Sequence, residues 1–138
     1  MRDILFRGKD HYDNEWVEGS LFTVTLYTYS ELEKKTLTHC IAEPNVEMYR
    51  GEIGGFAFVI PETVGQYTGL TDKNGNKIFE GDIVKWDGEE ISQIRYCNGV
   101  YRLCNAKGYY GVSLHNHYSY VEVIGNIHDN PELLKCEV

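Results

Sequence analysis

The sequence predicts a mainly β protein, with a small β-barrel in its C-terminal part, a β-rich N-terminal portion and one short C-terminal helical turn. Short runs rich in Thr, Val, Tyr, Phe and Ile alternate with turn residues along most of the chain. Three hairpin dipeptides, Asn74-Gly75, Asp87-Gly88 and Asn98-Gly99, follow one another at spacings of 13 and 11 residues. Such short, regular hairpins favour a barrel or roll over a sandwich of long strands.

The N-terminal portion contains four candidate strands. They lie at residues 4–7, 16–18, 21–29 and 36–42, with a polar turn over 10–14. Ser30 and Glu33 have the spacing of a helix capping box, so this segment forms either one helical turn or the tip of a long hairpin. The apolar run behind it is too short for a stable helix, which favours the hairpin. Residues 43–55 hold Pro44 and three glycines, so we expect a flexible loop there.

The C-terminal part begins with an apolar strand and ends with a helix start. Pro61 ends a strand over 56–60, and a second segment begins at Val64. After the three hairpins, a glycine- and tyrosine-rich connection leads to residues 112–114 and then to a strand at 120–124, with a kink at Gly125. Asn130-Pro131-Glu132 combines an N-cap residue, a proline in the first helical position and an acid in the first turn, which predicts one helical turn.

The Asn98-Gly99 hairpin predicts a strand register. With these residues as a two-residue loop, Ile94 faces Leu103 and Tyr96 faces Tyr101. The four side chains then point the same way, so we expect them to form a core face.

The Asp87-Gly88 hairpin predicts a bend. As a two-residue loop it sets Val84 opposite Ile91 and Trp86 opposite Glu89. Ile91 would then point to the opposite face from Ile94, three residues later. We therefore predict a bulge near Ser92-Gln93 that turns both inward.

Length, charge and cysteine content bound the class of protein. A chain of 138 residues is one domain, or one domain with an appendage, and we divide it into residues 1–62 and 63–138. Its net charge of −8 makes nucleic acid an unlikely partner, because phosphate contacts need basic groups. No apolar run approaches the ~20 residues of a membrane span, and the first residues resemble no signal peptide. We expect a cytoplasmic protein whose four cysteines, Cys40, Cys97, Cys104 and Cys136, are free thiols.

No residue pattern predicts a catalytic, cofactor or metal site. His115 and His117 lie two apart, a spacing that two metal ligands on one strand can use, but no third ligand is near in sequence. His39-Cys40 is adjacent in sequence, and neighbouring strand residues point to opposite faces, so we expect a buried Cys40 beside an exposed His39.

A group of carboxylates crowds the hairpin around Trp86. Its members are Glu80, Asp82, Asp87, Glu89 and Glu90. General acid–base catalysis needs two carboxyls with different environments in a cleft, whereas these residues are typical of turns and a solvated rim. Asp82, after Gly81, suits a strand entry at which a short polar side chain bonds to the backbone. The glycines of "GQYTGLTDKNGNK" match no nucleotide-binding loop, so no cofactor is predicted.

Three longer stretches carry a family resemblance that spans nearly the whole chain. They are "FRGKDHYDNEWVEGSL", "FVIPETVGQYTGLTDKNGNKIFEGDIVKW" and "VEVIGNIHDNPELL", and together they resemble the YopX family of phage- and prophage-encoded proteins of unknown function. The resemblance implies an SH3-like barrel after about residue 64, a β-rich portion before it and an association of chains. It supplies no catalytic residue, and residues 25–52 match no part of the family pattern.

Two functions of different classes follow. The leading expectation is a non-enzymatic accessory or protein-interaction module of a phage or prophage, acting in the cytoplasm of the bacterial host as a homo-oligomer with a host or phage protein partner. The alternative is a nucleic-acid-binding barrel, in which a set of basic residues shares a face with Trp86 and Tyr101. The basic set is Lys73, Lys77, Lys85, Arg95 and Arg102.

Overall fold

The computed structural model describes residues 4–27, 35–43, 48–49, 52–53, 55–105 and 111–134, and they are mainly β. The strands in chain order are β1 (Phe6–Lys9), β2 (Trp16–Tyr27), β3 (Lys35–Ala42), β4 (Met48–Tyr49), β5 (Glu52–Ile53), β6 (Phe56–Val59), β7 (Gly65–Thr71), β8 (Lys77–Phe79), β9 (Asp82–Trp86), β10 (Glu90–Cys97), β11 (Val100–Cys104) and β12 (Glu122–Asn126). Short 3₁₀ turns lie at Pro61–Thr63, Leu114–Asn116, Tyr118–Tyr120 and Pro131–Leu134. The predicted fold class, mainly β, is confirmed at this level.

Close packing divides the chain into two compact units. The N-terminal unit is Ile4–Gln66, and the C-terminal unit begins at Tyr67. The sequence-based division falls between residues 62 and 63, and the roles assigned to its two parts stay predictions. No helix in the described ranges is long and apolar enough to cross a membrane.

The N-terminal unit is an antiparallel sheet in the order β6-β3-β2-β1, with Gly65 and Gln66 paired beside β1. Strand β2 is continuous where the sequence predicted two strands. Gly19 continues the ladder by pairing with Phe6 on β1, and the backbone of Ala42 on β3 lies so close that no side chain would fit there. The predicted hairpin tip around Ser30 and Glu33 lies outside the described residues, as does much of the predicted loop over 43–55, where the structure describes the paired strands β4 and β5.

The C-terminal unit contains the β7–β8 hairpin and a four-stranded antiparallel sheet in the order β11-β10-β9-β12. One buried cluster forms its core: Ile78, Val84, Ile94, Leu103, Leu114 and Val121. Within the described part of the chain no sheet closes on itself, so the predicted barrel is not confirmed.

The Asn98-Gly99 hairpin has the predicted register. Ile94 pairs with Leu103 and Tyr96 with Tyr101, and Asn98 and Gly99 have φ values of 52° and 79°. The predicted core face needs one correction. Ile94 and Leu103 are buried and Tyr101 packs against the core, but Tyr96 is exposed at the tip of the hairpin.

The Asp87-Gly88 hairpin does not have the predicted register. Trp86 pairs with Glu90 and Val84 with Ser92, so the loop holds three residues and the extra one is Glu89. This one-residue shift places buried Ser92 on the face of Ile94 and turns Ile91 away from it. The predicted bulge near Ser92-Gln93 is therefore wrong, because the extra residue lies in the loop and β10 pairs regularly on both sides.

The Asn74-Gly75 turn is also longer than a two-residue hairpin. Thr71 pairs with Lys77, and of the two dipeptide residues only Gly75 has a positive φ, 84°. The amide of Gly75 donates to the carbonyl of Asp72 at 3.0 Å. A five-residue loop over 72–76 thus replaces the predicted type I′ turn.

The last segments follow the prediction with shifted boundaries. Ser113 forms a single bridge with Arg102, and the strand expected at 120–124 is β12. The predicted kink at Gly125 is a register shift between Val123 and Gly125. The predicted helical turn is the 3₁₀ turn Pro131–Leu134.

Candidate binding groove

An open groove on the C-terminal unit brings together three segments that are distant in sequence. Its volume is about 650 Å³, within the size range of ligand sites. The lining residues are Lys73, Trp86, Asp87, Gly88, His117, Ser119 and Tyr120. They come from the 72–76 loop, the β9–β10 hairpin tip and the two 3₁₀ turns before β12.

Trp86 forms the fixed wall of the groove. It lies on the core face of β9 and packs partly against the buried cluster. Its indole N–H donates to Oγ of buried Ser92 at 2.9 Å. The ring is thereby held by packing on one side and by a hydrogen bond at its edge.

His117 and Tyr120 form the second wall. The His117 and Trp86 rings meet edge to face, with centroids 5.9 Å apart and planes at 68°. His117 Nδ1 lies 2.9 Å from the carbonyl oxygen of Ser113. Since a carbonyl oxygen only accepts, Nδ1 is the donor in this contact, which fixes the orientation of the ring. Tyr120 is 68% exposed, so its ring is available to a ligand.

Lys73 reaches the groove because Asp72 holds its loop against β12. Asp72 is only 5% exposed and accepts hydrogen bonds from the amides of Asn74 (2.9 Å), Asn76 (2.8 Å) and Val123 (2.9 Å). Burial alone raises the pKa of this carboxyl, but the hydrogen bonds from Val123, Asn76 and Asn74 outweigh it and leave the pKa below its ordinary value. The Lys73 amide also donates to the Val121 carbonyl at 3.0 Å.

The charges around the groove are mainly acidic. Lys73 pairs with Glu122 at 3.7 Å, and Lys85 pairs with Glu89 at 3.5 Å. Asp87 and Glu90 are exposed, and neither forms an ion pair with another described residue. The rim of the groove therefore carries uncompensated negative charge.

The histidines predicted from the sequence are in different surroundings. His115 is exposed in a 3₁₀ turn rather than on a strand, whereas His117 lines the groove. In the parts of the chain that the structure describes, no three His, Cys, Asp or Glu side chains are close enough to hold a metal ion.

On β3, Cys40 is buried as predicted, and burial raises the pKa of its thiol. His39 is half-buried rather than exposed, because it lies between Thr23 on β2 and Val59 on β6.

The carboxylates around Trp86 differ in burial. Asp87, Glu89 and Glu90 are exposed, as expected for a rim. Asp82 is 1% exposed, so placing it on the solvated rim is wrong, whereas its predicted backbone bond at a strand entry is confirmed: Oδ2 accepts from the Phe79 amide at 2.7 Å. Glu80 is half-buried, and burial raises the pKa of its carboxyl, with nearby Arg95 acting in the opposite direction.

The basic residues do not share one face with Trp86 and Tyr101. The strand pairs Val84–Ser92 and Ile94–Leu103 place Trp86 and Tyr101 on the core face. Lys85, Arg95 and Arg102 alternate with these positions and lie on the other face of the same sheet. The aromatic and cationic surface expected for nucleic-acid binding is therefore divided between two faces.

The residues that support or line the groove carry little functional signal in the sequence. Ser92 and Asp72 act through bonds to residues 6 and 51 positions away, and neither distance follows from a local pattern. Tyr120 lies in "HYSY", whose density of aromatic residues near His117 is the one available signal.

The fold and the groove define an all-β protein of two small antiparallel units, one of which carries an aromatic-walled groove. The chain belongs to the YopX family: the family model described as YopX protein matches residues 5–135. The family resemblance seen in the sequence is thereby confirmed.

One solved structure extends this comparison. The chain is similar to the crystal structure of protein EF1440 from Enterococcus faecalis, with 27% identity and a TM-score of 0.58. The match covers 98% of this chain and 100% of that chain. A search of the curated proteins found no match.

Proposed function

We propose that this protein is a non-enzymatic accessory protein of a phage or prophage, which binds a host or phage protein in the cytoplasm of the bacterial host. The observation that carries the proposal is the groove around Trp86 and Tyr120. Aromatic residues held by packing and then left accessible are typical of protein interaction sites, where Trp and Tyr contribute most of the binding energy. Family membership supports the phage origin, which the resemblance to the YopX family implies.

A binding role rather than a catalytic one is supported by how the polar groups of the groove are used. The Trp86 indole N–H is bonded to Ser92, the His117 Nδ1–H to Ser113, and Lys73 to Glu122. These bonds position the walls of the groove. We also interpret the C-terminal unit as an open variant of the SH3-like barrel, which its short hairpins around one core support.

The N-terminal unit supplies the expected self-association in this proposal. Phe56 is 38% exposed and packs edge to face on Phe22 and Phe58, with ring centroids 5.8 and 5.7 Å apart. Such a cluster suits a contact between copies of the chain. Sedimentation equilibrium of the wild type should show an oligomer that Phe56→Ser weakens and the exposed-turn control Tyr12→Ser does not. A monomeric wild type at about 100 µM would contradict this part of the proposal.

The partner is tested by affinity capture from extract of the infected bacterial host. The wild type, Tyr120→Ala and Tyr118→Ala are immobilised at equal density. Tyr118 is the matched control, because it is exposed in the same 3₁₀ turn but does not line the groove. We expect a phage or host protein that the wild type and Tyr118→Ala retain and Tyr120→Ala loses. Equal retention by all three proteins would argue against the groove as the binding site.

A further inference from the structure

We propose that the groove binds an extended, positively charged polypeptide segment that contains proline, with its prolines against Trp86 and Tyr120 and a Lys or Arg at the Asp87 rim. This inference rests on the proposed function and specifies the chemistry of the partner. It is argued from the charge of the rim, the state of the sheet edges and the shape of the walls.

The charge of the rim favours a basic partner. Lys73, which lines the groove, pairs with Glu122, and Lys85, on the other face of β9, pairs with Glu89. Asp87 lines the groove itself, and exposed Glu90 follows it across the hairpin loop. The chain as a whole has a net charge of −8. The charges at the rim and the charge of the whole chain therefore both attract a cation.

The sheet edges exclude the commonest alternative, addition of a peptide strand at the groove. The outer edge of β12 is taken by the 72–76 loop, whose Lys73 amide donates to Val121 and whose Asp72 carboxylate accepts from Val123. The outer edge of β11 is taken at Leu103, whose amide donates to Val112 at 3.0 Å. A peptide in the groove therefore binds through its side chains rather than through main-chain pairing.

The aromatic walls fit a segment in the polyproline II conformation. Such a segment has no internal hydrogen bonds, is already extended before binding and docks its proline rings between aromatic side chains. Trp86 and His117 stand nearly perpendicular, and Tyr120 projects into solvent beside them. The rings of Trp86 and Tyr120 stabilise a cation near their faces.

Single-stranded nucleic acid also stacks on aromatic side chains, but the charges oppose it here. Stacking sites for single strands follow a positively charged groove. Among the residues that line the groove, Lys73 is the one Lys or Arg, and its ammonium group pairs with Glu122. Lys85, Arg95 and Arg102 lie on the other face of the sheet.

The test is fluorescence anisotropy with four labelled probes. The first is a peptide of about ten residues with two prolines spaced three apart and an arginine at each end. The second has glutamate in place of both arginines, the third has alanine in place of both prolines, and the fourth is an oligothymidylate of similar length. We expect the first probe to bind at least about tenfold more tightly than each of the others.

Two pairs of full-length variants assign the binding to the groove. Tyr120→Ala should weaken binding of the first probe at least about tenfold, and Tyr118→Ala should leave it unchanged. Asp87→Asn keeps a residue that tolerates positive φ and removes the charge, so it should weaken binding about threefold at low salt and less at high salt. Exposed Glu132, outside the groove, gives the matched control Glu132→Gln. Circular dichroism of each variant reports its folding.

Three results would overturn the inference: tighter binding of the acidic probe, equal binding of the probe without proline, or oligothymidylate binding that Tyr120→Ala abolishes. A Tyr120-dependent partner in the capture experiment, together with no preference for the basic proline probe, would overturn this inference alone and leave the proposed function standing. Loss of Tyr120 dependence in both experiments would contradict both.

Discussion

Replacing Asp72 with alanine removes a carboxylate that joins two parts of the C-terminal unit. Its Oδ1 accepts from the amides of Asn74 and Asn76 within the loop. Its Oδ2 accepts from the Val123 amide on β12, 51 residues further along the chain. The Asn76 side-chain amide also donates to Oδ2, at a long 3.4 Å. The substitution therefore breaks one long-range bond and three local ones, of which this last is the weakest.

The expected loss of unfolding free energy depends on whether each amide that loses Asp72 can bond to water instead. A hydrogen bond to a charged acceptor contributes about 1.5–3 kcal/mol, and the Val123 amide, in a half-buried strand, loses that amount. The amides of Asn74 and Asn76 are in an exposed loop and bond to water instead, at about 0.5–1 kcal/mol each. We expect the free energy of unfolding of this unit to fall by about 2.5–5 kcal/mol.

The assay uses the two tryptophans, which lie in different units. In a Trp16→Phe background the emission reports Trp86 and hence the C-terminal unit. With a urea dependence of about 2 kcal/mol per M, Asp72→Ala should lower the midpoint by about 1–2.5 M. Asp10→Ala is the matched control for local bonds, and the emission of Trp16 in a Trp86→Phe background reports its unit. Among the described residues Asp10 Oδ1 accepts from the nearby Tyr12 and Asp13 amides, so at about 0.5–1 kcal/mol for each bond the cost should stay at about 1–2 kcal/mol.

The pH dependence gives an independent check. The pKa of Asp72 is lowered in the folded state, so the carboxylate's contribution is complete above the ordinary carboxyl pKa of about 3.9 and is lost as the pH falls through the folded-state value. The difference between parent and Asp72→Ala should therefore be largest near pH 7 and shrink in acid. A midpoint within about 0.3 M of the parent at pH 7 would refute the reasoning.

Three further substitutions test other parts of the structure. Glu80→Gln should raise the free energy of unfolding at pH 7, since burial raises the pKa of Glu80, and the gain should vanish below about pH 4; a gain that persists in acid would contradict this origin. Gly19→Ala should destabilise the N-terminal unit by more than about 2 kcal/mol, because the new methyl group overlaps the Ala42 carbonyl; an unchanged melting curve by circular dichroism would show that the strands can separate freely. Ser92→Ala should cost about 1 kcal/mol and shift Trp86 emission, because the indole loses its acceptor, and unchanged emission in the Trp16→Phe background would contradict a role for Ser92 in holding the ring.

The sequence predicts turns well where local chemistry alone decides them. Asn98-Gly99 sets the register of β10 and β11 correctly, because both residues adopt the positive φ of a two-residue loop. Asp87-Gly88 also has positive φ at both positions, yet its loop holds a third residue. The choice there depends on burying Ser92 under Trp86, which is a tertiary contact that no dipeptide encodes.

The groove was outside the reach of sequence reasoning for the same physical reason. The nucleic-acid alternative places Trp86 on a surface with basic residues, and the sequence offers His117 only as half of a His pair that has no third metal ligand nearby. The structure instead packs these two rings against each other. A separate loop, which Asp72 fixes by a bond to a distant strand, brings Lys73 to the same groove. Local patterns predict the strands, whereas the site depends on how the strands pack.

The residues that hold the groove and the residues that it presents are different sets. Asp72, Ser92 and the core fix its walls, whereas Asp87, Ser119 and Tyr120 are exposed at its surface. Exposed positions accept most substitutions within about 0.5 kcal/mol. Substitutions at these three positions therefore change the surface that the groove presents and leave the scaffold beneath it intact.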